Sequence, residues 1–180
     1  MLFIGQVVLN SPLFPVDEPR IAYLFISADS DSSWDPNSGE NAVIIQKMED
    51  KEGRTRPTIG ATGPRLEETY WERGVAKSRP LELSAEVVVE PMRRVLESEI
   101  AQWDEQRRIE YFAERGQAIG GEPHWIQADE CPEGWRLLLQ MSDYPWVDGE
   151  ALETNWNFGT GSCYVLVSPD FSKGILLWQC

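Results

Sequence analysis

The chain has 180 residues and a mass of 20.5 kDa, which suits a single domain and excludes a multidomain machine. Its 42% hydrophobic, 26% charged and 11% aromatic residues are typical of globular proteins and exclude a wholly disordered chain. Thirty acidic and 16 basic residues give a net charge of −14, and a surface this negative repels phosphate backbones, so direct binding of nucleic acid is disfavoured.

Three dense apolar and β-branched runs predict strands in the amino-terminal third, at residues 2–9, 21–27 and 41–48. Three prolines between the first two runs place a loop there, and the Asp, Ser, Pro and Gly residues around Trp34 predict turns over residues 29–40. Residues 49–65 lose this periodicity and are punctuated by glycine and proline, so they predict a loop.

The middle third changes character. Residues 66–74 predict a short helical turn, and the alternating apolar residues of 81–90 predict a strand. Pro91 suits the first position of a helix, and residues 92–115 are good helix formers with apolar side chains at near-helical spacing. Because the phase of this spacing shifts beyond Asp104, we expect a kink or a second short helix there.

The last third returns to strands, at residues 124–127, 136–141, 163–168 and 174–180. Glycine or proline falls between all of them, which favours turns over long crossovers. Strands, then a helix, then strands predict an α+β fold with mainly antiparallel pairing, because the regular strand–helix alternation of a parallel sheet is missing.

A short pattern recurs at the two ends of the chain. FIGQ (3–6) followed by AYLFIS (22–27) resembles LLLQ (137–140) followed by CYVLVS (163–168). A duplicated β unit would explain this echo, and chance similarity between short apolar strands is the alternative. We therefore predict one domain over residues 1–180. In it, residues 1–48 and residues 119–180 form a pseudo-repeat around a helical middle segment, residues 91–115.

The sequence lacks the common catalytic and cofactor motifs. His124 is the only histidine, so multi-histidine metal centres are impossible, and no GxSxG nucleophile elbow is present. We interpret His124 as a half-buried or surface histidine. GATG (60–63) and GTG (159–161) lack the continuation of a phosphate loop and are typical of glycine turns. We therefore expect no catalytic residue, no metal and no cofactor.

We also expect no targeting signal. No run of 18 apolar residues occurs, and the first ten residues lack a basic leader, so the sequence predicts neither a membrane span nor a signal peptide. Cys131, Cys163 and Cys180 are too few and too scattered for a disulfide framework or a zinc cage, and we interpret them as reduced thiols. We expect a cytoplasmic protein with no membrane partner.

The charge is uneven along the chain. Residues 1–40 hold six acids and one base, residues 41–120 hold 15 acids and 13 bases, and residues 121–180 hold nine acids and two bases. One interpretation is that acidity serves solubility alone. The other is that the two terminal thirds form one acidic face for a basic partner.

Tryptophans and acidic residues occur together in two turn-rich segments. The candidate partner-binding residues are Asp143, Trp146, Asp148, Glu150 and Glu153, followed by Asp31, Trp34 and Asp35. Tryptophan is enriched in interface hot spots, and carboxylates match a basic partner. Aromatic residues beside carboxylates also line carbohydrate sites, where paired acids catalyse hydrolysis. The remaining alternative is that the tryptophans are buried in the hydrophobic core, which we expect for roughly two thirds of them.

Residues 119–140, IGGEPHWIQADECPEGWRLLLQ, resemble the signature of the YwqG-like family of bacterial domains. That signature runs Gly-Gly-x-Pro-x-Trp-x-Gln, then a leucine-rich strand that ends in Gln, then a Gly-rich turn before an aromatic strand. The matching residues are Gly120, Gly121, Pro123, Trp125, Gln127, Leu138 and Gln140. WNFGTGSCYVLVS (156–168) resembles the segment that follows. The chain departs from the family at Thr160, where Asp is frequent, and in starting at the first Gln strand without a preceding Gly-Gly-x-Pro segment.

The resemblance implies an architectural role for the signature and no established enzymatic activity. Members of the family often lie near genes for toxins of interbacterial competition, including type VI secretion, which implies that some are immunity proteins. A nuclease toxin needs a basic cleft, and an acidic chain is complementary to it. The leading hypothesis is a cytoplasmic, non-enzymatic protein that occludes a secreted toxin. The alternative is a carbohydrate-binding or small-ligand protein or enzyme that uses Trp and carboxylate side chains.

Overall fold

A computed structural model of the chain describes residues 1–27, 34–48, 67–80, 97–108, 111, 116–142, 146–147, 150–151, 158 and 161–180. Within these residues the strands are β1 (Leu2–Leu9), β2 (Arg20–Ile26), β3 (Asn41–Lys47), β4 (Glu67–Glu72), β5 (Val75–Pro80), β6 (Ala118–Ile119), β7 (Arg136–Ser142), β8 (Trp146–Val147), β9 (Glu150–Ala151), β10 (Ser162–Val167) and β11 (Gly174–Gln179). The helix α1 spans Glu97–Ile100, and residues 105–108 are also helical.

Seven strands form one sheet in the order β1-β2-β3-β11-β10-β7-β6, while β4-β5 and β8-β9 form two small sheets. All of these pairings are antiparallel. The described part of the chain is therefore mainly antiparallel β, as the sequence predicts. Its helical residues lie in short stretches between residues 97 and 111, so the α part of the predicted α+β class is only loosely supported.

The large sheet contains two three-stranded units that meet at its middle. We call β1, β2 and β3 the first unit, and β7, β10 and β11 the second unit. Strands β3 and β11 lie side by side and antiparallel, with Gly174 opposite Val43. The order β1-β2-β3 is thus followed by β11-β10-β7, and a half-turn about an axis normal to the sheet carries the strand order of one unit onto that of the other.

The strand registers of the two units also match. In the first unit the cross-strand row is Gln6, Tyr23 and Ile44. In the second unit the corresponding row is Gln140, Tyr164 and Leu177. The echo in the sequence therefore corresponds to a repeated geometry, in which a glutamine on the first strand faces a tyrosine on the second.

A β-bulge interrupts both units at the same place. In β1 the register skips Ile4, and in β7 it skips Leu138, each two residues before the glutamine of the repeated row. Both side chains are buried, with Ile4 at 7% and Leu138 at 0% exposure. A bulge lets the strand twist more strongly, and here it keeps the apolar residue directed into the core.

One face of the sheet, which we call the inner face, carries the main hydrophobic core. The strand residues that alternate toward it, including Val7, Leu24, Val165 and Leu176, are almost fully buried. Phe14, from the connection between β1 and β2, and Phe158 are buried in the same core. Alternation of this kind means that the intervening residues point to the opposite, outer face.

The sequence locates the six strands of the two units correctly. Each one begins and ends within one residue of its predicted bounds. Their dense β-branched and aromatic residues, bounded by Gly and Pro, explain this success. The predicted strand at 81–90 and the loop at 49–65 lie outside the described residues.

The helical turn predicted over 66–74 is wrong for its described residues, 67–74. Strands β4 and β5 instead make a hairpin, with a two-residue turn at Arg73 and Gly74, whose φ angles are 51° and 78°. Two successive positive φ angles are what a tight hairpin turn requires. The prediction was wrong because the glycine was interpreted as a helix terminus.

The segment at 124–127 is irregular instead of the predicted strand. Its main-chain groups bond to side chains of the second unit, so it needs no strand partner. The helix predicted over 92–115 is interrupted where the sequence indicates: α1 ends before Asp104, whose Oδ1 accepts a hydrogen bond from the Arg107 amide at 2.8 Å and caps the helical residues 105–108.

Asp170 shapes the connection between β10 and β11. Its carboxylate accepts hydrogen bonds from the hydroxyls of Ser168 (2.6 Å) and Ser172 (2.7 Å) and from the Ser172 amide (3.1 Å). These bonds, that of Ser168 first, hold the pKa of Asp170 well below its ordinary value of 3.8. The charged form is therefore favoured in the folded chain.

We expect the Asp170 contribution to stability to be present above its unfolded pKa and to be lost as the pH falls below about 4. Asp170→Asn should therefore lower the stability at neutral pH while flattening its decline at acid pH. Urea unfolding of the two proteins at neutral pH and at about pH 3 measures this difference. Parallel declines for wild type and variant would contradict the assignment.

Candidate partner-binding surface

The outer face of the second unit is covered by residues 120–131, which we call the covering segment. Strand β6 first pairs with the edge of β7, with Ala118 opposite Gln140. Gly120 and Gly121, whose φ angles are 70° and 79°, then turn the chain across the sheet. Glycine adopts this backbone region without steric cost, which explains the need for the Gly-Gly pair at this turn.

Gln140 and Tyr164, the repeated pair of the second unit, hold the first part of the covering segment. The Gln140 Oε1 accepts a hydrogen bond from the His124 amide at 2.8 Å. The Tyr164 hydroxyl donates to the His124 carbonyl at 2.7 Å and accepts from the Ile126 amide at 3.1 Å. These side chains therefore satisfy main-chain groups that have no strand partner.

Gln179, at the end of β11, holds the next part. Its Oε1 accepts from the Gln127 amide at 2.9 Å, while its Nε2 donates to the Ala128 carbonyl at 2.9 Å and to Glu130 Oε1 at 2.7 Å. Gln127 Nε2 in turn donates to the Cys180 carbonyl at 2.5 Å. The hydrogen bonds of Gln140, Tyr164 and Gln179 thus go mainly to main-chain groups of the segment, and Glu130 supplies the one side-chain acceptor.

Trp125 anchors the segment by an aromatic contact. The Trp125 ring packs on the Tyr164 ring, with centroids 4.4 Å apart and planes 32° apart. Burial raises the pKa of Tyr164 to about 12, so its phenol keeps the proton at neutral pH and remains both donor and acceptor. The His124 ring lies edge-on to Tyr111, at 6.0 Å between centroids. These contacts give the Gly-Gly-x-Pro-x-Trp-x-Gln residues an architectural role.

The first unit carries the same three polar side chains at the equivalent register positions. Gln6, Tyr23 and Gln46 correspond to Gln140, Tyr164 and Gln179, because Gln46 lies opposite Ile21 as Gln179 lies opposite Ser162. Gln6 and Gln46 are exposed and Tyr23 is half-buried. Within the described part of the chain, none of these three side chains makes a hydrogen bond to protein.

The rest of this outer face is apolar. Besides Gln6, Tyr23 and Gln46, the side chains that alternate toward it are Phe3, Val8, Ile21, Phe25, Ala42 and Ile44. Val8 is 40% exposed and Ile44 is 46% exposed, while the rings of Phe3 and Phe25 pack together with centroids 5.5 Å apart. The equivalent side chains of the second unit, such as Leu166 and Leu177, are fully buried beneath the covering segment. Among the residues that the structure describes, one unit is thus covered and the other is open.

The two acidic segments predicted from the sequence emerge at the same end of the large sheet. Ile26 and Asn41 flank one connection, and Ser142 and Ser162 flank the other. Each neighbouring pair of strands from β2 to β7 is antiparallel, so the ends of β2 and β7 and the starts of β3 and β10 lie at the same end of the sheet. Three strand spacings of about 4.8 Å, about 15 Å in all, separate the two pairs of strand ends across the sheet. The ends of β7 and β10 also lie about three residues further along the strand direction, because the start of β11 at Gly174 is opposite Val43. We call this end of the sheet the acidic end.

Its two connections, residues 27–40 and 143–161, hold eight acids, three tryptophans and no lysine or arginine. Asp35 is described, and its Oδ1 accepts from the Asn37 amide at 2.8 Å and orders the turn beside Trp34, which is 55% exposed. Trp146 and Glu150 lie on the paired strands β8 and β9. The remaining predicted residues lie outside the described residues: Asp31, Asp143, Asp148 and Glu153.

Tryptophans are less buried than expected. Among the six whose side chains are described, none is fully buried: Trp34 and Trp71 are exposed, and the other four are half-buried. The expectation that most tryptophans fill the core is therefore wrong for this part of the chain. Trp125, Trp135 and Trp178 instead pack at the rim of the core clusters.

The exposed hairpin β4–β5 was missed as a surface feature because its sequence was interpreted as helical. Trp71 is 69% exposed, and the other side of the hairpin is internally paired. Lys77 forms an ion pair with Glu72, and the Arg79 guanidinium lies over the Tyr70 ring at 5.5 Å. Its three acids and three bases balance, so we do not include this hairpin in the acidic end.

Within the described ranges, no three His, Cys, Asp or Glu side chains are grouped so that they could hold a metal ion. No helix among these residues is long and apolar enough to cross a membrane. Comparisons with protein families, with curated proteins and with solved structures find no match to this chain. The resemblance to YwqG-like domains therefore stays a prediction.

Proposed function

We propose that this chain is a cytoplasmic immunity protein of the YwqG-like family, which binds a secreted antibacterial toxin and occludes its basic cleft without chemistry of its own. The observation that carries the proposal is the acidic end: two connections from opposite ends of the sequence, free of basic residues, emerge side by side from one sheet. A toxin that cuts nucleic acid presents the complementary charge.

The physical advantage of such a surface is speed and selectivity of capture. A concentrated negative potential steers a basic partner into the correct encounter and raises the association rate, most strongly at low salt. An exposed aromatic side chain beside the charges, such as Trp34, is the residue type that slows dissociation. Steering by acids and anchoring by tryptophan are therefore combined in one region.

A duplicated β unit is part of the same proposal. The matching strand order, the bulges at Ile4 and Leu138, and the repeated Gln–Tyr rows support an origin by duplication. In this interpretation one copy carries its covering segment and acts as scaffold, which leaves the other copy and the acidic end available for a partner.

Co-expression tests the proposal in cells. The chain should restore growth to cells that express the toxin encoded beside it, and the variant with Asp148→Lys, Glu150→Lys and Glu153→Lys should weaken the purified complex about tenfold or more at low salt. The loss should shrink at high salt because exposed charges are screened. Binding constants at two ionic strengths measure both effects.

A matched control reverses three exposed acids outside the acidic end, Asp17, Glu105 and Glu133, and changes the net charge by the same amount. We expect this control to retain nearly full affinity. If both variants lose affinity equally, net charge alone attracts the partner and the acidic end is not its site.

A further inference from the structure

We propose that the open outer face of the first unit binds an extended, aromatic-bearing segment of the partner protein, and holds its backbone as the second unit holds the covering segment. The second unit supplies the pattern of contacts, since Gln140, Tyr164 and Gln179 bind main-chain groups of residues 124–130. Gln6, Tyr23 and Gln46 present the same three side-chain types at the matching register positions.

The first step of binding would be strand addition at the edge of the sheet. In the second unit, β6 adds two residues to the edge of β7 before the chain turns across the face. Strand β1 occupies the equivalent position and is an edge strand of the described sheet. Its main chain at Gly5 and Gln6 corresponds to the main chain of β7 at Leu139 and Gln140, which β6 pairs with.

The second step would place an aromatic ring of the partner on Tyr23. Trp125 makes this contact with Tyr164, at 4.4 Å between ring centroids. The exposed Ile44 and Val8 would then be covered, as the corresponding residues of the second unit are. An apolar surface left open in this way, with polar groups arranged to receive a backbone, is typical of a peptide-binding face.

Charge decides the kind of segment. The connection at residues 27–40, which continues from strand β2 of this face, holds four acids and no base, and the only bases of residues 1–48 are Arg20 and Lys47. Both bases are engaged within the chain: Arg20 Nη1 donates to the Phe171 carbonyl at 2.7 Å, and Lys47 pairs with Glu18 at 2.6 Å. The face also adjoins the acidic end through its Phe3–Phe25–Ala42 row. Basic residues flanking the aromatic ring are therefore expected, whereas a second copy with a net charge of −14 would be repelled.

Only the identity of the partner rests on the proposed function; the binding face itself is defined by the repeat. The probe is a synthetic peptide of residues 117–130 of this chain with Glu122→Lys and Asp129→Lys, which keeps Trp125 and becomes basic. Fluorescence anisotropy with the full-length protein should give saturable one-to-one binding. Tyr23→Phe should weaken it about five- to tenfold through loss of the hydroxyl contacts, and Ile44→Glu should weaken it further.

Two controls complete the experiment. Tyr70→Phe removes the hydroxyl of an exposed tyrosine outside this face and should leave the affinity unchanged. The peptide with Trp125→Ala should bind at least tenfold more weakly. Absence of saturable binding, or binding that is indifferent to both Tyr23→Phe and Ile44→Glu, would overturn the proposal. So would a dimer that Ile44→Glu dissociates, because a second copy would then be the occupant.

The outcomes separate this inference from the proposed function. If the chain inhibits the toxin but does not bind the peptide, the proposed immunity function stands and the proposed peptide-binding face is refuted. If the chain binds the peptide through Tyr23 but does not inhibit the toxin, the proposed peptide-binding face stands and the proposed immunity function is refuted.

Discussion

Tyr164→Ala is expected to destabilise the protein by about 4 kcal/mol, whereas the same change at its repeat counterpart Tyr23 is expected to cost about 1 kcal/mol. Tyr164 is fully buried, and its removal leaves a cavity under Trp125. It also leaves the His124 carbonyl and the Ile126 amide without their partner. Tyr23 is half-buried on the open face, and its hydroxyl makes no hydrogen bond to main-chain groups in the described part of the chain.

Urea or thermal unfolding measures both costs, provided the variants unfold in a single transition. If Tyr164→Ala does not fold, the phenylalanine pair gives the same comparison. Tyr164→Phe should cost about 2 kcal/mol through two unsatisfied main-chain groups, and Tyr23→Phe should be close to neutral. Equal costs at the two tyrosines would mean that both outer faces are covered in the free protein.

Among the glycines of the described residues, we expect Gly161→Ala, which adds one methyl group, to lower the free energy of unfolding most. A Cβ at this position would lie 2.7 Å from the Gln179 carbonyl carbon and 2.8 Å from the Cys180 Cα, and closer still to the Gln179 carbonyl oxygen. These atoms are backbone, so no side chain can rotate to relieve the contact. Strand β11 would have to move away from the start of β10.

We expect a loss of at least about 3 kcal/mol, at the upper end of the range for overpacked cores. Because the shift displaces Gln179, hydrogen exchange at the Gln127 amide should also accelerate. Gly5→Ala is the matched control, since nothing lies within 4 Å of its added Cβ, and it should change stability by less than about 1 kcal/mol. A tolerated Gly161→Ala would contradict the packing of β11 against β10.

The sheet could be predicted from the sequence because each strand of the two units is a dense apolar run with clear boundaries. The glutamine echo of residues 3–6 and 137–140 coincides with the matching rows in which Gln6 faces Tyr23 and Gln140 faces Tyr164. What the sequence could not show is that Gln46 and Gln179 belong to it, since their flanking residues differ. Their equivalence depends on strand register, which is set by pairing across the sheet.

The errors have equally specific causes. Arg73-Gly74 suits either a helix end or a hairpin turn, and the cross-strand partners in β5 decide between them. Residues 124–127 have the composition of a strand, yet their hydrogen bonds go to Gln140, Tyr164 and Gln179. The placement of both acidic connections at one end followed from topology alone, because Trp34 and Trp146 are far apart in the sequence.

Inhibition of the toxin's own activity, titrated with the purified chain, tests the central claim most directly. The account predicts one-to-one titration to complete inhibition at low salt, with a weaker complex at high salt and a weaker one still for the Asp148, Glu150 and Glu153 reversal variant. Full toxin activity in the presence of excess chain at low salt would contradict it.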